Sequence, residues 1–330
     1  MKLAIVGEFP PAAFRQMTEA LSQRQDLFEL EIVDTREKMQ ALTEAECIVM
    51  RIFKLTEEDI LRNPKLKFVQ KWGAGFDTVD IETAGKRGIP VSNTPGANAF
   101  SVAEQTVLLI LNVYRNFIVH YESLKKAIWT KAKFMERTYS LKGKLVGLVG
   151  CGNVGREVAK RVQAFGAQVC YYDLFRMSEE REKELELTYM PFDELIGKAD
   201  VISVHLPLNE KTKKLIGREE LKRMKPTSIL INTARGGIID EEALCEALEQ
   251  EWILGAGLDC IAHEPPCEDD PILKAPNVTL SPHVGGISAD LTETIVPMMV
   301  DNLVRFAETG EAWYVVNKEF LPTQSDAEAK

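Results

Sequence analysis

Leu145-Val146-Gly147-Leu148-Val149-Gly150-Cys151-Gly152-Asn153-Val154-Gly155-Arg156-Glu157-Val158-Ala159 joins an apolar run of strand character to Gly150-x-Gly152-x-x-Gly155, and Val158, Val162 and Phe165 continue with a helical period. Each glycine has a physical task. The first permits a tight strand-to-helix turn, the second lets backbone approach a diphosphate, and the third lets helix pack on strand. The diphosphate is expected on the N–H groups at the helix start, around Asn153 and Val154. A glycine pattern alone is weak evidence. Here a second apolar run, Gln168-Val169-Cys170-Tyr171-Tyr172, ends in Asp173, eighteen residues beyond Gly155. A dinucleotide fold places at that distance the carboxylate that holds the adenosine ribose hydroxyls. The stretch reads as a dinucleotide site, against the alternative of a glycine-rich turn beside an accidental acid.

Outward from it, strands alternate with helices. Residues 145–149, 168–172, 201–205, 228–232, 255–259 and 277–281 are the strand candidates. Repeated βα units of this kind make an open, doubly wound sheet whose ligand crevice lies at the carboxyl ends of the strands. Residues 1–100 alternate shorter strands (3–6, 30–33, 47–50, 68–70, 90–92) with helical patterns (12–22, 35–40, 56–62, 80–86). They predict a small α/β domain with a parallel sheet. Residues 101–116 form one long helical period that bridges to the second domain. Residues 117–142 mix Phe117, Tyr121, Trp129, Phe134 and Tyr139 with lysines and arginines and suit no Rossmann core. They read as a dimerisation arm, with a surface helical insertion as the plainer alternative. A last helix over 289–308 is long enough to return to the first domain. The expected domains are therefore 1–100 with 290–330, a discontinuous substrate domain, and 101–289, the dinucleotide domain. Thr323–Lys330 is polar and expected to fray.

A chain of 330 residues can build two cores, and 45% apolar with 27% charged residues is ordinary for a globular protein. A formal charge of −10 disfavours nucleic acid and anionic membranes as partners. No apolar run reaches membrane length, since 107–113 contains Asn112 and soon meets Arg115. The start, Met1–Gly7, runs directly into a strand pattern and is read as no signal peptide. Six scattered cysteines then read as reduced thiols of a cytoplasmic protein.

Three turns after strands carry groups fit for chemistry. Ile231-Asn232-Thr233-Ala234-Arg235-Gly236-Gly237 offers an arginine, Gly257-Leu258-Asp259 leads on to Glu264-Pro265, and Ser281-Pro282-His283-Val284-Gly285-Gly286 offers a histidine. Such a set suits the interconversion of a carbonyl and an alcohol beside a nicotinamide. The arginine would anchor a substrate carboxylate by a forked hydrogen bond. The imidazolium would donate a proton in reduction and the imidazole accept it in reverse. Glu264 would orient the ring and stabilise its charged form. Each residue has a plainer reading as surface cation, loop acid or structural histidine. His263, beside Glu264, is the rival acid/base, and His205 reads as a strand-end histidine tied to backbone. Cys260-x-x-His263-x-x-x-Cys267 has metal-like spacing but no fourth ligand, so no metal is assigned.

Taken together, these motifs resemble the D-isomer-specific 2-hydroxyacid dehydrogenases, the family of phosphoglycerate dehydrogenases and glyoxylate/hydroxypyruvate reductases. Lys71-Trp72-Gly73-Ala74-Gly75-Phe76-Asp77-Thr78-Val79-Asp80 resembles the family's substrate-carboxylate loop, and 93–104 its interdomain crossing. The likeness spans about residues 45–310. It implies two Rossmann-like domains, with a doubly wound parallel-sheet NAD-binding domain inserted into a smaller flavodoxin-like substrate domain. It further implies Arg235 as substrate anchor, Glu264 as the histidine's partner and His283 as acid/base. Arg51, Trp72 and the backbone N–H groups of Ala74 and Gly75 are the implied substrate contacts. The implied NAD contacts are Gly150, Gly152, Asn153, Val154, Gly155, Asp173, His205, Thr233, Ala234, Asp259 and Gly285, with Asp259 near the nicotinamide carboxamide. A homodimer acting on a small 2-hydroxyacid or 2-ketoacid is expected, with an NAD(H)-sensing, corepressor-like protein as the alternative. Three departures stand out: Gln105 where histidine is common, Cys260-Ile261-Ala262-His263 in place of an aromatic–acid pair, and bulky Ile52 and Phe53 after Arg51. The chain's end is read as leaving no room for a further regulatory domain.

Overall fold

Five short strands, β1 (Lys2–Val6), β2 (Glu29–Val33), β3 (Cys47–Met50), β4 (Phe68–Lys71) and β5 (Val91–Ser92), pair in parallel in the order β2-β1-β3-β4-β5. This computed structural model describes residues 1–322, so the expectation for Thr323–Lys330 lies outside the described residues. Strands β3 and β4 are buried throughout, because helices cover both faces of a parallel sheet. Three of the helices begin where a side chain accepts one of the first N–H groups. Thr35 takes the amide of Lys38, Thr56 that of Asp59 and Asp80 that of Thr83.

The chain divides into two units, Met1–Asn98 with the segment from Ser288 onward, and Ala99–Ile287. In the first, the helix Thr292–Thr309 lays Ile295, Met299, Leu303 and Phe306 against Leu3, Ile5 and Phe68. The rings of Phe68 and Phe306 stack at 4.5 Å. Two buried asparagines tie the returning chain to the sheet. Asn302 Nδ2 donates to Gln70 Oε1 at 2.7 Å and its Oδ1 accepts from the Trp313 amide at 2.7 Å. Asn317 accepts from the Val91 amide at 2.9 Å and donates to the carbonyls of Ile89 and Ile81.

The second unit holds seven parallel strands, β6 (Leu145–Val149), β7 (Gln168–Tyr172), β8 (Leu187–Tyr189), β9 (Val201–Val204), β10 (Ile229–Asn232), β11 (Gly255–Leu258) and β12 (Val278–Leu280). Their order is β12-β11-β10-β9-β6-β7-β8, so the winding reverses between β6 and β9. Sequence reading missed β8, whose three residues are too few to show a period. Buried residues of β6, β7, β9, β10 and β11 divide between two apolar clusters. The helix Ala99–Arg115 closes one of them with Val107, Leu109, Ile110 and Val113. Residues 117–142 contribute a helix, Phe117–Lys125, and a 3-10 turn, Met135–Arg137, neither with a buried residue.

Asn317→Ala would strand one amide and two carbonyls in the interior. A loss of about 2–4 kcal/mol of stability is expected, read as a lower midpoint of denaturant unfolding.

Candidate active site

At the carboxyl end of β6 the backbone turns at Gly150, whose φ of +98° is one that side chains rarely adopt. The helix Asn153–Ala164 starts at once, with no side chain capping it. A Cβ on Gly155 would lie 2.5 Å from the carbonyl oxygen of Gly150, whereas one on Gly152 would meet nothing within 4 Å. The third glycine is thus demanded by packing and the second borders open space. Uncapped amides beside open space fit a diphosphate. Asp173, just past β7, accepts from the amides of Cys151 at 2.9 Å and Phe175 at 3.2 Å. Its carboxylate is held beside the glycine turn, as a ribose ligand requires. Arg176, half exposed, pairs with Glu182 through two bonds of 2.9 Å. Glu182 also accepts from the Tyr171 hydroxyl at 2.7 Å, and the arginine and this hydroxyl hold its carboxyl down at about 2. His205 follows β9, and removal from water pushes its imidazole down to about 3. Its Nε2 pairs with the hydroxyl of Ser203 at 2.9 Å, a side-chain partner where a backbone one was expected.

The second cluster grows from β10, β11 and β12. Asn232 shapes the turn after β10, accepting from the amide of Ala234 at 3.0 Å and donating to the carbonyl of Arg235 at 2.8 Å. Thr233 meets the buried hydroxyl of Thr106 at 2.9 Å. Gly236 is where this turn touches the one after β11, since a Cβ there would fall 2.0 Å from the carbonyl oxygen of Ile261. That second turn carries Glu264, whose Oε1 accepts from the Ile261 amide at 3.2 Å and whose Oε2 lies 2.7 Å from His283 Nδ1. Both are partly open, with side chains 41% (His283) and 37% (Glu264) exposed. His283 has a left-handed backbone, φ +53°, a conformation a bulky residue keeps only when its surroundings enforce it. His263, the rival, is 76% exposed and lies 3.6 Å from Asp270.

Asp259 is the residue the sequence underrated. It is 2% exposed and accepts from the Ser281 hydroxyl at 2.6 Å, the Val284 amide at 3.1 Å and the Gly285 amide at 2.7 Å. Gln105, noted above as a departure, donates to Ser281 Oγ at 2.8 Å and completes a chain from the helix Ala99–Arg115 to the histidine loop. No residue spacing announces that chain.

In the first unit, Gly73 turns the backbone after β4 with φ +90°, and its amide donates to Thr94 Oγ1 at 2.9 Å. Asn93 holds the carbonyl of Ala74 at 2.7 Å, so two side chains from beyond β5 fix the Ala74–Gly75 loop. Trp72 is buried, with its ring edge-on to Phe9. Arg51 donates to the carbonyl of Glu8 at 2.9 Å, and burial pulls its pKa down.

Comparison with known proteins places these features. The NAD binding domain of the D-isomer specific 2-hydroxyacid dehydrogenases matches residues 107–285. The chain is 37% identical over 289 residues to a glyoxylate reductase of Thermococcus litoralis, covering 86% of this chain and 87% of that one. It is 36% identical over 300 residues to a hydroxypyruvate reductase of Thermotoga maritima, covering 90% and 95%. The crystal structure of a glyoxylate reductase from Paecilomyes thermophila superposes with a TM-score of 0.87 at 30% identity, covering 97% and 99%. The chain belongs to the D-isomer specific 2-hydroxyacid dehydrogenase family. It is an NAD-dependent oxidoreductase of 2-hydroxyacids and 2-ketoacids, which removes the sensing-protein alternative. Among the described residues, no helix is long and apolar enough to cross a membrane.

Asp173 is held beside the glycine turn and Arg176 is tied to Glu182, so a 2′-phosphate placed beside Asp173 would meet a negative charge. NADH should exceed NADPH in kcat/KM by at least about tenfold, since like charges about 4 Å apart near a surface repel by several kcal/mol. Equal use of the two would refute this.

Proposed function

We propose that the protein reduces small 2-ketoacids of the glyoxylate and hydroxypyruvate class, with His283 as acid/base, Glu264 as its partner and Arg235 as substrate anchor. The observation that carries this reading is the 2.7 Å contact between His283 Nδ1 and Glu264 Oε2, on a loop in backbone contact with the Arg235 turn. Bound NAD supplies the two-electron redox step. The guanidinium of Arg235 binds the substrate carboxylate and draws charge from the carbonyl oxygen. The family resemblance adds the N–H groups of Ala74 and Gly75 and the side chains of Arg51 and Trp72 as further candidate substrate contacts. With Nδ1 facing Glu264, the Nε2 proton of His283 goes to the carbonyl oxygen as it becomes a hydroxyl, and oxidation returns it. Glu264 keeps the ring oriented and offsets its positive charge before transfer. The names of the relatives support the substrate class, and a turnover screen over glyoxylate, hydroxypyruvate, pyruvate and bulkier ketoacids tests it.

The same reading makes residues 117–142 a homodimer arm. Phe117, Tyr121, Leu124 and Ile128 are exposed, and Trp129 and Met135 are 78% and 73% exposed, a concentration of apolar surface that a partner copy would cover. We place the protein in the cytoplasm, supported by six cysteines that form no disulfide.

His283→Ala should lower kcat about a hundredfold or more while NADH still binds, as fluorescence titration would read, and His263→Ala should stay near wild type. The reverse pattern would mean that His263 is the acid/base. Light scattering at micromolar concentration should give twice the chain mass; a monomer would eliminate the arm as an interface.

A further inference from the structure

The turn after β11 brings a third metal-binding atom type to the histidine and its carboxylate. The thiol of Cys260, one carboxylate oxygen of Glu264 and one ring nitrogen of His283 all lie within 4.8 Å of one another. Cys260 is buried, and its Sγ reaches the carbonyl of Ala234 at 3.4 Å. The other two are open to solvent, so an ion would have a way in and room for a water. A tetrahedral zinc ion holds sulfur at about 2.3 Å and nitrogen or oxygen at about 2.0–2.2 Å, which sets its ligands roughly 3.5 Å apart. Closing atoms that lie within 4.8 Å of one another onto such an ion takes shifts of about 1 Å, which the two exposed side chains, Glu264 and His283, can supply toward the buried thiol.

We propose that Cys260, Glu264 and His283 form a site for a thiophilic divalent cation, zinc or cadmium, that reversibly shuts the enzyme off. The inhibitory part rests on the acid/base roles assigned above. One thiolate, one imidazole and one carboxylate select zinc or cadmium over magnesium and calcium, which prefer oxygen alone. Binding displaces the thiol proton to solvent and puts a metal–sulfur bond in its place, so it strengthens as pH rises. The cation also replaces the proton between His283 and Glu264, and the ring is then pinned to the metal instead of cycling a proton. The site differs from Cys260-x-x-His263-x-x-x-Cys267, the set that spacing alone picks out. His263 turns to Asp270 instead, and Cys267 is exposed on the same loop.

The test is cadmium titration of the full chain, followed by the sulfur-to-cadmium charge-transfer absorption, with zinc inhibition measured in parallel. Cys260→Val removes the sulfur at similar volume, and Cys260→Ser guards against misfolding of the first variant. Wild type should show one thiolate–cadmium band per chain in excess magnesium, and both Cys260 variants should lose it. Zinc should lower wild-type turnover, a chelator should restore it, and the variants should need at least about tenfold more zinc for the same effect. Cys267→Ser should keep the band, and His283→Ala should weaken cadmium binding without reference to activity. A band that survives loss of Cys260, or vanishes in Cys267→Ser, overturns the site. A Cys260-dependent band with full wild-type turnover at the same cadmium concentration keeps the site, overturns the inhibition and rejects His283 and Glu264 as the acid/base pair.

Discussion

The buried carboxylate of Asp259 is the point on which the rest of the site hangs. It stands just past β11 and takes one hydroxyl and two amide donors from residues 281, 284 and 285. A charge out of water survives only when donors surround it, so the loop after β12 must close over Asp259. That closure carries His283, whose own amide donates to the carbonyl of Asp259 at 2.8 Å. The left-handed backbone of His283 follows from the same constraint: the amides on either side of the ring are already committed, and the histidine takes the φ that remains. Gln105 braces the far side through Ser281, so the helix Ala99–Arg115 serves the site as well as the core.

A second constraint is backbone approaching backbone. Gly236 lets the arginine turn rest against Ile261 and Ala262, and the same loop continues to Glu264. Glu241, from the helix Glu241–Glu249, accepts the Ala262 amide and fixes the loop from beneath, with burial raising its pKa. Arginine, glutamate and histidine therefore stand on three turns that are locked to one another rather than on three independent loops. A parallel sheet produces this economically, because the carboxyl ends of neighbouring strands open onto one edge.

The glycine turn obeys similar rules with different groups. Asp173 is presented by β7 and held by the amide of Cys151, so glycine turn and carboxylate move as one piece. Tyr171, from the same strand, anchors Glu182, which in turn holds Arg176. A cation that could favour a phosphorylated ribose is thereby committed to a carboxylate of its own chain.

Much of this was legible before any coordinates. Glycine spacing, strand periods and an acid at the end of β7 are local signals, and they marked out both sheets and the glycine turn between β6 and its helix because turn sterics and side-chain alternation act over a few residues. Arg235, Glu264 and His283 could be picked out as groups that follow strands. Contact was not legible. That Glu264 meets His283 and not the adjacent His263, that Asp259 staples the histidine loop, that Gln105 reaches Ser281 across 176 residues, and that Cys260 joins the pair all depend on the order of β10, β11 and β12 and on which way each turn bends. Strand pairing brings together residues far apart in the chain, and no period or spacing in the sequence encodes it. The residue types and their places along the chain were set by the sequence; which of them touch was decided only when the sheet closed.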